Sequence, residues 1–172
     1  MQPAADRILT THSGSLPRPS EFTSLVLARE AGEPVDEAEF ADEVRAVVRK
    51  TVLLQADAGV DVLNDGEVSK PSYATYVKDR LTGFGGKGSI EEVATSVMGL
   101  DEFPDFAEKM AQTMQSVATV RFTTCDGPVS YVGQDAVQAD IDNLKAGTEG
   151  VAEVATFMSL SLIHISEPTR PY

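Results

Sequence analysis

The sequence predicts an α/β protein with a parallel sheet and helical crossovers. Three observations carry this. Short apolar, β-branched runs alternate along the chain with stretches of helical apolar spacing. The helical stretches are bounded by start and stop residues. And three of the strand ends carry clusters of polar and glycine residues, His12-Ser13-Gly14-Ser15, Asn64-Asp65-Gly66-Glu67 and Cys125-Asp126-Gly127, at the side of such a sheet where sites form.

The elements follow in order. Residues 7–11, RILTT, read as a short strand that runs into a Gly-, Pro- and Ser-rich loop, HSGSLPRPSEF. Ser20 reads as a helix N-cap, and Gly32 ends that helix. Pro34 and Asp36 reopen a helix over residues 37–58. Its apolar residues Phe40, Val44, Val47, Val48, Val52 and Leu54 fall at roughly helical spacing, and Gly59 caps it. Residues 60–63 form the next strand and stop at two carboxylates flanking a glycine. A helix is expected over residues 72–81, and residues 85–104 read as an insertion or loop. A helix follows in DFAEKMAQTMQSV, a strand in residues 120–124, a helix in DAVQADIDNLKAG, and a last strand within residues 151–158.

Composition bounds the function. The 172 residues are 42% hydrophobic, enough for one domain with a sizeable core. With 27 acidic against 14 basic residues the net charge is −13. Such a surface repels phosphate backbones, so nucleic acid is not an expected partner. No apolar run reaches the roughly 18 residues of a membrane span, and the start, MQPAADRILTTH, lacks the form of a signal peptide. A single cysteine permits no internal disulfide, which suits a cytoplasmic setting. One cysteine and two histidines are too few for the usual thiolate- and imidazole-rich zinc site.

Glu67 poses the functional question. Turn chemistry explains Asn, Asp and Gly at a strand end, but a carboxylate beside a buried strand calls for a partner. Asp65 reads either as a helix N-cap or as a companion to such a binding carboxylate. Lys70 and Arg80 read as solvated helix charges, and Cys125 as a small buried residue near a strand end.

Three blocks, ILTTHSGSLPRP, GVDVLNDGEVSKPSYATYVKDRLTGF and GPVSYVGQDAVQADIDNLK, together resemble the catalytic (C-terminal) domain family of cobalamin-independent methionine synthase. The nearer likeness is to its stand-alone bacterial members. The resemblance runs from about Arg7 to Ser159. It implies a (β/α)8 TIM barrel of the methionine synthase/uroporphyrinogen decarboxylase-like superfamily, of which residues 1–159 would be the first half. It implies methyl transfer from a methylated folate to the thiol of homocysteine, both small-molecule partners, with zinc holding the thiol as thiolate. The family's zinc ligands come from later strands, so none is expected here. By the same resemblance Glu67 meets the amino-acid substrate, Gly14 and Ser15 lie against it, His12 marks the stand-alone subgroup, and residues 125–131 lie near the folate. The acceptor stays open: alkyl transfer to another thiol such as coenzyme M, a uroporphyrinogen-decarboxylase-like lyase, and a small-molecule binding module are the alternatives. The tail LSLIHISEPTR departs from the family and resembles a translated sequencing adapter. Residues 160–172 are therefore expected to be non-native, and the chain to be inactive alone.

Overall fold

Pro17 and Pro19 stiffen the backbone that leads into the first helix, α1 (Ser20–Ala31). In the computed structural model, which describes residues 7–71, 76, 78–87, 102–114, 123–152 and 155–158, Ser20 is the first helical residue. Pro19 occupies the N-cap position, and no side chain caps the helix. The expected Ser20 cap is thus displaced by one residue, because Pro19 has the extended φ and ψ of an N-cap. Gly32, at φ 79°, closes α1, its N–H reaching back to Arg29 and that of Glu33 to Ala28. α1 buries Phe22 and Val26.

Asp36 starts α2 (Glu37–Asp57) by accepting from the Ala38 and Glu39 amides at 2.8 and 3.1 Å. Val44, Val47, Val48, Thr51, Val52 and Gln55 form its buried stripe, while Leu54 falls off it and is 61% exposed. The core gathers these valines with Phe22, Val26, Leu63, Val68 and Leu144.

Strand β1 (Val62–Leu63) pairs in parallel with β4 (Ala155–Thr156), and Thr11 bridges in parallel to Val62 on the other side. Three segments far apart in sequence therefore lie side by side in chain order. Residues 7–10 are not strand, but they are tied to β1. Arg7 forks onto Asp61, with Nη1 2.6 Å from Oδ2, and the Thr10 amide and hydroxyl donate to the same oxygen at 2.8 and 3.0 Å. The hydrogen bonds from Arg7, then those from Thr10, hold the Asp61 carboxyl well below the usual carboxylate range. A depressed folded pKa contributes stability that is complete above the unfolded value of about 4 and is lost as pH falls further toward the folded value. Thermal melts below pH ~4 should therefore show a steeper loss for the wild type than for Asp61→Asn. Parallel pH slopes would remove Asp61 from the acid response.

The strand expected over residues 120–124 is seen only as β3 (Thr123–Thr124); residues 120–122 lie outside the described residues. It does not join the parallel sheet. It pairs antiparallel with β2 (Gly86–Lys87), and a further antiparallel bridge joins Leu81 to Tyr131. Backbone bonds continue this ribbon from Thr82 to Ser130 and from Asp126 to Gly83, at 2.9 and 2.8 Å. Period-2 pattern signals a strand, not its direction; the close approach at Gly83 and Gly86 is what lets two chain segments zip. Of the helix expected over residues 72–81, Tyr76 and Lys78 are helical and residues 72–75 and 77 lie outside the described residues. Helix α3 (Pro104–Met114) follows the ribbon's first arm, and α4 (Gln134–Thr148) packs along α2. The segment 88–101 and the tail 160–172 lie outside the described residues.

Candidate functional site

Two loops leave the parallel segments at their C-terminal ends, residues 12–19 and 64–70, and they are stitched together. Asn64 Nδ2 donates to the His12 carbonyl at 2.6 Å. The Leu16 amide donates to the Gly66 carbonyl at 2.9 Å. Ser15 Oγ donates to Glu67 Oε2 at 2.9 Å. The second loop is shaped by its own Asx residues: Asn64 Oδ1 accepts from the Gly66 amide at 2.7 Å, and Asp65 Oδ1 from the Glu67 amide at 3.0 Å. These turns carry Gly66 to φ 60° and Glu67 to φ 54°. Among the described residues Glu67 is the one non-glycine at positive φ, a conformation that persists where surroundings over-determine it.

Ser15 and Glu67 therefore meet across 52 positions of sequence. Glu67 is buried at 4% exposure, whereas Ser15 is exposed and Gly14 and His12 are half-buried. The His12 ring turns to its own loop, with Nε2 3.0 Å from the Gly14 carbonyl. A carbonyl only accepts, so Nε2 carries the proton there. Gly14, at φ 98°, has no neighbour within 4 Å of where a Cβ would stand. A cavity of about 370 Å³ lies elsewhere, between α1, α2, α4 and Ser69, Pro71, Tyr76, Asp79 and Arg80, and His12, Ser15 and Glu67 are not in its wall.

Several residues take roles that the sequence reading missed or assigned otherwise. Asp65 caps no helix; it is buried and pairs with Lys70 Nζ at 2.8 Å, so Lys70 is not a solvated charge. Nor is Arg80, whose Nη2 lies 2.8 Å from Asp140 Oδ2 and whose guanidinium stacks over the Tyr76 ring at 3.5 Å. The Tyr76 hydroxyl and Ser69 Oγ also donate to Asp140. Burial pushes the Tyr76 phenol far above its ordinary value, with the Asp140 charge adding to it. Cys125 is exposed, not buried. Gln55, on α2, completes the site from below: its side chain donates to the Asn64 carbonyl at 2.8 Å and accepts from the Asn64 amide at 3.3 Å, as a strand neighbour would. Arg18 donates to the carbonyls of Glu67, Val68 and Lys70. Its place between two prolines beside GSLP was the available signal.

Among the described residues no three His, Cys, Asp or Glu side chains come together in a way that would hold a metal ion. The donors described do not fit a zinc site.

The chain is thus an α/β protein whose candidate site is a carboxylate, Glu67, held between two stitched strand-end loops. Over 75 residues, 44% of this chain, the sequence is similar to proteins named 5-methyltetrahydropteroyltriglutamate–homocysteine methyltransferase. Identity is 33% for that of Streptomyces avermitilis, 37% for Rhodococcus jostii (strain RHA1) and 36% for Mycobacterium tuberculosis (strain ATCC 25618 / H37Rv). The match covers 10% of the length of each of these relatives. No family model matches the chain, and no solved structure does. No helix among the described residues is long and apolar enough to cross a membrane.

Proposed function

We propose that the chain is part of a methyltransferase of the methionine synthase type, moving a methyl group from a methylated folate to the thiol of homocysteine, and that its two stitched loops hold the amino-acid end of the thiol substrate. The observation that carries this is the Ser15–Glu67 contact: a buried carboxylate, fixed in a left-handed turn at a strand end, hydrogen-bonded to the loop of the neighbouring strand. The named relatives support the same class.

In this reading Glu67 pairs with the substrate ammonium, and Ser15 holds one carboxylate oxygen so that the pair has one geometry. His12 steadies Gly14 and thereby the Ser15 backbone. An acceptor thiol without an amine, such as coenzyme M, would leave the proposed Glu67–ammonium contact unused. The thiol must be deprotonated to attack the methyl group. The zinc that does this in the family finds no fitting donor set among the described residues. The three parallel segments in chain order support a (β/α)8 barrel as the frame.

Calorimetric titration with L-homocysteine tests the site. Glu67→Gln should weaken binding by about 1.5–3 kcal/mol, the scale of a charge-assisted hydrogen bond. Equal affinity of variant and wild type would take Glu67 out of the site.

A further inference from the structure

The turn that presents Glu67 is held by more than the local Asx bonds of Asn64 and Asp65. Its two consecutive left-handed residues, Gly66 and Glu67, need external restraint. Besides those bonds and the Leu16 amide on the Gly66 carbonyl, restraint comes from Arg18. Nε donates to the Val68 carbonyl at 2.7 Å, and Nη2 donates to the Glu67 carbonyl at 2.9 Å and to the Lys70 carbonyl. Glu67, Val68 and Lys70 are all buried. Without the guanidinium their carbonyls would lose partners away from water. The arm itself enters from a stiff base: Pro17 and Pro19 flank Arg18, and the residue before a proline is confined to extended backbone. The planar fork of arginine suits several acceptors in one turn, which a lysine point charge does not. The charge also reaches the site. Burial lowers the Arg18 pKa, and the Glu67 carboxylate opposes that shift.

We infer that Arg18 is a positioning residue: by clamping the carbonyls of residues 67–70 it aims the Glu67 carboxylate at Ser15 and at the ammonium of an amino-acid thiol. The inference rests on the reading of Glu67 given above. It adds a specificity element: the preference for an amine-bearing thiol depends on a side chain that need not touch the ligand.

Three variants of the 172-residue protein, Arg18→Gln, Arg18→Lys and Glu67→Gln, decide it in two arms. The first arm needs no ligand. Native-state amide exchange should quicken about tenfold or more at Val68 and Lys70, whose amides close the turn onto Asp65 and Glu67, in both Arg18 variants. Val48 and Val52 in α2 should be unchanged. Unaltered exchange in the turn, uniform acceleration, or full restoration by lysine would each overturn the clamp. The second arm compares L-homocysteine with 4-sulfanylbutanoate, the same thiol acid without the amine. Arg18→Gln should lose about tenfold in affinity for L-homocysteine and nothing for 4-sulfanylbutanoate, and it should add little once Glu67→Gln is present. Equal loss for both thiols would mean that Arg18 acts on stability alone, and would overturn the specificity role. If the wild type does not prefer the amine-bearing thiol, the reading of Glu67 falls and with it the specificity role, while the exchange arm still decides the clamp.

Discussion

Replacing Lys70 with methionine should cost about 3–5 kcal/mol of folding stability, the scale for removing one partner of a buried ion pair. Lys70 Nζ lies 2.8 Å from Asp65 Oδ2, and the two side chains are only 5% and 3% exposed. Methionine matches the lysine stem in length, so packing against the Tyr76 ring, 5.5 Å from Nζ, is largely kept. What is lost is the charge that makes Asp65 tolerable inside the protein. Total stabilities of small domains are about 5–15 kcal/mol, so the variant should be marginal in a urea melt. Adding Asp65→Asn should recover part of the loss, because the stranded carboxylate is then gone while the side-chain oxygen that holds the Glu67 amide is kept. A double variant no more stable than Lys70→Met alone would show that the buried charge is not the cause.

Gly66→Ala should cost about 2–5 kcal/mol, from two sources. A Cβ at φ 60° carries left-handed strain of about 1–2 kcal/mol. It would also stand 2.6 Å from Thr51 Cγ2 and 3.1 Å from Leu16 Cβ, and overpacking of that kind costs about 1–3 kcal/mol. Thr51 is buried on α2, where a β-branched side chain has few other rotamers. Gly14→Ala is the internal control, since φ is also positive but nothing lies within 4 Å. It should show strain without the clash. Urea melts of the two variants measure the difference, and equal costs would mean that contact with Thr51 plays no part. The same alanine should disturb the Leu16–Gly66 bond and thereby the Ser15–Glu67 contact.

Helices α1 and α2 were legible because their ends are written locally. Gly32 stops one, Asp36 starts the other, and the buried valines of α2 repeat at helical spacing. The turn at Asn64-Asp65-Gly66-Glu67 was legible for the same reason, since Asx side chains bond to the backbone two residues on. Other features were not. The sequence pattern predicts β3 as another parallel strand and the segment holding β2 as an insertion or loop, because alternation does not encode direction and a two-residue strand shows too little of it. Lys70 and Arg80 read as solvated charges because the sequence does not show that Asp65 and Asp140, their partners, are buried. Cys125 looked like core and stands exposed, since a small apolar residue at a strand end carries no burial signal of its own.

The sequence by itself determined the alternation of helices and short strands, the end of α1 at Gly32, the start of α2 at Asp36, and the placing of a glycine–carboxylate pair at a strand end. Those are consequences of dihedral preference and spacing within about ten residues. Tertiary structure alone decided that Ser15 meets Glu67 across 52 positions, that Arg18 closes the turn over three carbonyls, and that Arg80 is paired with Asp140 rather than solvated. The physical reason is that a polar group's role depends on whether water or a partner satisfies it, and for Glu67, Arg18 and Arg80 that partner stands about 50 or more positions away in the chain.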